Sequence, residues 1–183
     1  MKDGRILNIV DEAGEVIGED SRENIHSKGL LHREIHVWFY TSVGDIIFQH
    51  RAKDKDTHPD LLGITVGGHV EIGDDYKDSA LKEVKEETGL TISSNDLRFI
   101  KFTHTRSSDP VTHNINNSLR AAYVYCYQGN IDDLQVEKGK SLGFESWPID
   151  KILNISAEDK IKFIPSIFDK ECLAILYKIK KLI

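Results

Sequence analysis

Residues 74–89 carry the most restrictive local pattern in the chain. Asp74, Asp75 and Asp78 crowd its start and Gly89 follows its end, while Tyr76, Ala80, Leu81, Val84 and Thr88 fall on one side at 100° per residue. Acids complement the positive end of a helix macrodipole, and glycine accepts the left-handed backbone that ends a helix. The pattern therefore predicts a helix with an apolar side that must be covered, and a sheet is the usual cover. The neighbouring segments supply one. Residues 34–40 and 46–51 are rich in β-branched and aromatic side chains around a turn at 42–45, and 61–66 reads as a short buried strand. Residues 97–102 and 119–127 read as strands around a polar loop, 107–117. A hairpin at 6–18 opens the chain, 147–152 reads as a strand end entering a helical turn, and apolar residues at helical spacing in 165–183 predict a closing helix. The expectation is an α+β fold.

The same helix concentrates charge awkwardly. Glu83, Glu86 and Glu87 project within about a third of its circumference, in its last two turns. Negative charge there opposes the macrodipole by about 0.3–1 kcal/mol per group, and the Glu83–Glu87 repulsion at i, i+4 adds about 0.2–0.5 kcal/mol. A hard divalent cation offsets both, since Mg²⁺ takes oxygen ligands and shares them with substrate phosphate. The competing reading is a solvated face in which Lys82 and Glu86 pair across one turn. Gly67-Gly68, just upstream, lets backbone approach a ligand closely.

Composition narrows the partners. Among 183 residues, acids outnumber bases by 30 to 24, giving a net charge of −6. That balance argues against a chain-wide grip on a nucleic-acid polymer. No stretch approaches the roughly 20 apolar residues that span a bilayer, so no membrane association is expected. Cys126 and Cys172 form neither a CxxC pair nor a disulfide framework. With a charged start, these features predict a cytoplasmic protein, and the lack of any composition shift predicts a single domain over 1–183.

From Gly68 to Leu90 the sequence resembles the Nudix box, Gly-x5-Glu-x7-Arg-Glu-U-x-Glu-Glu-x-Gly-U, where U is aliphatic. Gly68, Glu83, Val84, Glu86, Glu87, Gly89 and Leu90 match, whereas Asp74 stands for Glu and Lys82 for Arg. Lysine lacks the bidentate fork of arginine, so looser support for the loop is expected. The resemblance implies a Nudix fold, a mixed sheet sandwiched between helices. It also implies a hydrolase that uses Mg²⁺, or Mn²⁺ in its place, on a small-molecule diphosphate. Glu83, Glu86 and Glu87 would be metal ligands, joined by the Gly67 carbonyl, with Glu83 the first candidate for general base and Asp109 and Glu145 as alternatives. Many members of the superfamily dimerise, although no interface is recognisable here.

The flanks, Gly29-Leu30-Leu31-His32-Arg33, Phe48-Gln49-His50-Arg51, Lys55 and Gly67-Gly68-His69-Val70, are similar to the isopentenyl-diphosphate isomerase branch. That similarity implies diphosphate binding by Arg51 and Lys55, with Gly67 and Gly68 lining the substrate site, and metal binding by His32 and His69. Gly67 stands where the isomerase has its essential cysteine, and glycine has no side chain with which to move a proton. The leading expectation is therefore hydrolysis of a phosphoanhydride in a nucleoside diphosphate derivative or related diphosphate. An isopentenyl-diphosphate isomerase-like activity and a non-catalytic nucleotide sensor are the alternatives.

Overall fold

The computed structural model describes residues 4–55 and 57–183. Residues 1–3 of the charged start and Asp56 of the polar loop lie outside them. The chain opens with the expected hairpin, β1 (Ile6–Val10) and β2 (Val16–Ser21), which pair antiparallel in a sheet of their own. Helix α1 (Arg22–Lys28) follows, capped by Ser21 and ended by Gly29 at φ 64°. Sequence periodicity missed this helix because Ile25 is its one buried residue; a helix this short and polar has no apolar stripe to detect.

The main sheet is built around β3 (His32–Tyr40), followed by β4 (Asp45–Arg51), β5 (Leu62–Gly63) and β6 (Val66–His69). After helix α2 (Tyr76–Thr88) come β7 (Arg98–Ser108), β8 (Ile115–Cys126) and β9 (Ser141–Pro148). The strand order is β5-β4-β3-β8-β7, with β6 also paired to β3 and β9 to β4. Strands β3 and β8 run parallel from His32↔Ser118 to Tyr40↔Cys126 while the other pairs are antiparallel, so the sheet is mixed.

Alternation along β3 sends Ile35, Val37 and Phe39 to one core and Trp38 to another. Ala80 and Val84 of α2 fill the first. The second holds Ile149 and Ile152 of α3 (Ile149–Leu153), with Cys172, Ile175, Leu176 and Ile179 of the closing helix, counted here as α5 (Lys170–Lys180) after the single turn α4 (Ala157–Lys160). Each fully buried aliphatic side chain contributes about 1.5–3 kcal/mol. The sheet is thus held between helices on both faces.

Three expectations are corrected. The strand predicted at 61–66 is two strands, and Gly67-Gly68 belongs to the second, opposite His36 and Ile35. Buried Thr65 divides them: its hydroxyl accepts from Phe39 N–H at 2.9 Å and donates to the Ile47 carbonyl, joining β3 to β4 through a side chain. The loop predicted at 107–117 shrinks to 109–114, because its polar residues pair across β7 and β8, as His104 with Asn117 at 3.0 Å and Thr105 with Ser118 at 3.2 Å. The predicted helix over 165–183 begins instead as a short 3₁₀ turn, Pro165–Phe168, before α5.

Candidate functional site

Helix α2 is fixed at both ends by its own sequence. The Asp75 carboxylate accepts from the N–H groups of Lys77 and Asp78 at 2.7 and 2.8 Å, and Gly89 closes the helix at φ 72°. Lys82 reaches Asp74 at 2.6 Å and lies 3.7 Å from Glu71. The two departures from the box therefore pair with each other, one ammonium bracing the loop where a guanidinium fork would have made two bonds.

Glu83 and Glu87 are buried, at 7% and 5% exposure, and Glu86 is exposed. Glu83 rests directly over the backbone of Gly68, where any Cβ would collide with its carboxylate. Its Oε2 is buried without a hydrogen-bond partner. Glu87 accepts from Gln49 Nε2 at 3.1 Å and from Gly67 N–H at 3.4 Å. Gly67 thus meets Glu87 through its N–H. Burial, then the neighbouring Glu87 and Glu86 charges, push Glu83 up to about 8; burial pushes Glu87 up to about 7 against the pull of Lys140, Gly67 and Gln49. A small cavity of about 10 Å³, lined by His69, Glu71, Ser79, Lys82, Glu83 and Glu86, opens beside Glu83, room for about one water or ion.

Arg51 and Lys55 are brought to this cluster, since Glu87 acts electrostatically on both. Arg51 also braces its loop, donating from Nε to the His58 carbonyl at 3.1 Å and from Nη2 to the Thr57 carbonyl at 2.7 Å. Asp109 and Glu145 make other contacts, although Asp109 feels the field of His58, in the loop that Arg51 braces. Asp109 folds its own turn, accepting from Val111 and Thr112, and Glu145 pairs opposite Phe48, a residue of the core away from α2. Lys140, for which no motif or spacing argues, enters the field of Glu87 and Glu83.

His32 and His69 also meet, and they bring His26. The ligating atoms of these three rings all lie within 4.8 Å of one another, the one such group of His, Cys, Asp or Glu side chains among the described residues. His26 Nε2 and His69 Nε2 are 3.1 Å apart. His32 Nδ1 is 3.1 Å from the Leu30 carbonyl, which leaves Nε2, buried and unpartnered, turned to the cluster. Glu34 Oε1 stands 3.7 Å from His32 Nε2 and 3.9 Å from His69 Nε2. Glu34 is held from behind by Arg120 Nη2 at 2.8 Å, Ser118 Oγ at 2.7 Å and Asn116 Nδ2 at 3.1 Å. Burial works against its charge, yet Arg120 and the two histidines keep its pKa well below the ordinary carboxylate range. Burial lowers His26 to about 4, helped by His32 and Arg22, and lowers His69 to about 3 against the pull of Glu34. Neutral imidazoles are the ligating form.

The family model of the NUDIX domain matches residues 30–167. The chain belongs to the Nudix family. A Nudix hydrolase of Clostridium acetobutylicum is 29% identical over 149 residues, covering 80% of this chain and 71% of its own length. One of Yersinia pestis is 38% identical over 84 residues, which is 46% of each chain, so the alignment spans about half of that relative. Family membership carries the enzyme class with it, a Nudix-type pyrophosphohydrolase. Among solved structures, DR0079 from Deinococcus radiodurans superposes with a TM-score of 0.66 at 21% identity, covering 82% of this chain and 87% of that one. The NUDIX domain of Shewanella oneidensis NrtR, complexed with ADP ribose, gives 0.54 at 14% identity over 84% and 87% of the two chains. At these identities the likeness is one of fold. No Nudix helix described here is long and apolar enough to cross a membrane.

Proposed function

We propose that this Nudix protein hydrolyses a phosphoanhydride bond in a nucleoside diphosphate derivative or related small diphosphate, with Mg²⁺ or Mn²⁺ bound by Glu83, Glu86 and Glu87. The observation that carries the reading is the buried, unpartnered Oε2 of Glu83, set over glycine backbone beside a second buried glutamate. A carboxylate oxygen buried without a donor is costly unless a cation completes it. Two carboxyls raised to about 8 and 7 likewise indicate a site whose charge awaits neutralisation. The residues fit a hard, oxygen-seeking ion.

When bound, such an ion supplies Lewis-acid stabilisation of phosphate oxygens and acidifies water. The chain's own part follows from geometry. Gln49 and the Gly67 N–H orient Glu87, and Gly68 gives Glu83 its place. Lys55 and Arg51 lie where they would balance diphosphate charge. As water oxygen bonds to phosphorus and the bridging P–O bond breaks, Glu83 is the first candidate to take the water's proton. Purified protein with Mg²⁺ or Mn²⁺ is expected to release phosphate or a nucleotide from a diphosphate panel including ADP-ribose. Glu86→Gln and Glu87→Gln are expected to abolish that release. No turnover of any compound by folded protein would overturn the reading.

The histidine cluster favours one addition: His26, His32, His69 and Glu34 as a second metal site, adjoining the first through His69 on the wall of the Glu83 cavity and suited by its nitrogen donors to a transition ion such as Zn²⁺. It does not restore an isomerase reading. Gly67 has no side chain with which to move a proton to an allylic carbon. Deuterium entering a prenyl diphosphate from heavy water would contradict this. The retained glutamates distinguish the protein from a non-catalytic sensor, which would return its nucleotide unchanged after incubation with Mg²⁺. Its working form as a cytoplasmic protein, and as a monomer or homodimer, belongs to the same proposal and is read by fractionation and by solution mass.

A further inference from the structure

The loop between β8 and β9 is seated on the carbonyl end of α2. Gln135 N–H donates to the Thr88 carbonyl at 3.0 Å, and the Gln135 side chain lies over Gly89, where a Cβ would come within 2.7 Å of its Cδ. The loop then tightens, with Lys140 N–H donating to the Glu137 carbonyl at 3.0 Å and Gly139 at φ 80°. Ser141 enters β9 opposite Arg51, and the Lys140 carbonyl accepts from Ala52 N–H at 3.1 Å. Two segments distant in sequence, one carrying Arg51 and Lys55 and the other Lys140, are thereby joined side by side.

Lys140 Nζ lies 2.7 Å from Glu137 Oε2, and both side chains are 30% exposed. Burial works against the Lys140 charge, but the bond to Glu137 and the fields of Glu87 and Glu83 outweigh it and raise its pKa. On the other side Lys140 repels Lys55, whose pKa is lowered by burial, then by Arg51 and Lys140. Cations gathered against their mutual repulsion suit an anionic ligand better than an empty site. Arg51 already spends Nε and Nη2 on loop carbonyls. The ammonium groups of Lys55 and Lys140, point charges on four-carbon stems, are then the better placed to meet a diphosphate.

We propose that Lys140 is a substrate-binding residue, its ammonium held by Glu137 and facing Lys55 so that the two grip the non-bridging oxygens of the diphosphate. The inference rests on the hydrolase reading and names a further group of that site. Its test uses the full chain with Lys140→Ala, Lys140→Arg and, as a control for net charge, Lys151→Ala, whose ammonium pairs with Asp159 at 2.9 Å. Two quantities are measured: kcat and KM on a substrate from the panel, and calorimetric binding of methylenediphosphonate, a non-hydrolysable diphosphate. Loss of one charged hydrogen bond predicts a rise of about tenfold in both KM and Kd for Lys140→Ala, with kcat within about twofold. Lys140→Arg is expected to restore most of it and Lys151→Ala to change neither. Unchanged KM and Kd in Lys140→Ala, an equal loss in Lys151→Ala, or no binding of methylenediphosphonate by the unaltered protein would overturn it. Lys140-dependent binding without turnover of any substrate would instead sink the hydrolase reading and leave the cation's role standing; turnover indifferent to Lys140 would do the reverse.

Discussion

The glutamate and histidine clusters, the two candidate ion sites, respond to burial in opposite ways. Burial raises Glu83 and Glu87 to about 8 and 7, towards protonated carboxyls that are poor ligands. The same burial lowers His26 and His69 to about 4 and 3, towards neutral rings that are ready ligands. Removing water from a charge favours whichever form is neutral. Near neutral pH a nearby positive charge would favour ionised glutamates, whereas the lowered histidines are already in the neutral form that can ligate. Glu34, kept ionised by Arg120, is the exception that gives the histidine cluster its negative charge.

The largest expected effect comes from the support under the glutamates. Gly68→Ala would drive a methyl group into the Glu83 carboxylate. Because metal sites lose about 10–100-fold in affinity or activity when even a supporting partner is removed, hydrolysis is expected to fall by about 100-fold or more. Circular dichroism checks that the chain still folds. Full activity in this variant would show that Glu83 need not sit where it does. The complementary experiment is His26→Ala with His69→Ala. Zn²⁺ binding by calorimetry is expected to weaken by about 100-fold or more, while Mg²⁺-dependent hydrolysis stays within about threefold. A collapse of hydrolysis would merge the two clusters into one functional site.

A smaller effect, visible as a shift in Tm, follows from the opposite shifts. In metal-free protein the raised glutamates bind protons in the folded state that the unfolded chain, near the ordinary glutamate value of 4.5, has released. Stability therefore falls as pH rises from about 4.5 to about 8. The lowered histidines act the other way: below 6.5 the unfolded chain takes up protons that the folded rings refuse, so their contribution falls as pH drops towards 4 and then 3. Between 4.5 and 6.5 the two slopes oppose each other. From about 6.5 to 8 only the glutamates contribute, and Tm in chelator is expected to decline with pH. Saturating Mg²⁺ or Glu83→Gln should flatten that decline. A Tm in chelator that does not change with pH over this interval would show that neither carboxyl is raised.

These clusters also differ in how far they could be read from sequence. Glu83, Glu86 and Glu87 lie within two turns of one helix, so spacing alone places them together. The helix itself was legible for the same reason, as were the opening hairpin and most strands, whose composition is local even where their pairing, as of β3 with β8, is not. His26 was not assigned any role: it reaches His69 across 43 residues, from a helix without an apolar stripe. Glu34 takes its partners from 82 to 86 residues away on β8. Lys140 arrives beside Arg51 only through the β4–β9 pairing. Such groups have no local period, and a strand register is required before they become neighbours.

The smallest expected effect tests how much of the box's support is generic. Lys82 holds Asp74 at 2.6 Å at the surface, with half of its side chain in solvent. An exposed pair of this kind is screened by water and salt, so Lys82→Ala should lower kcat by no more than about fivefold, far less than Gly68→Ala. Lys82→Arg restores the family residue, but its fork meets Asp74, one methylene shorter than the glutamate the pattern carries. Arginine alone is therefore expected to gain little, and Lys82→Arg with Asp74→Glu to gain more than the sum of the two single changes. Additive behaviour in kcat would mean that the pair acts only as two surface charges, and that Glu83 owes its place to Gly68 and its own burial rather than to the brace at the helix start.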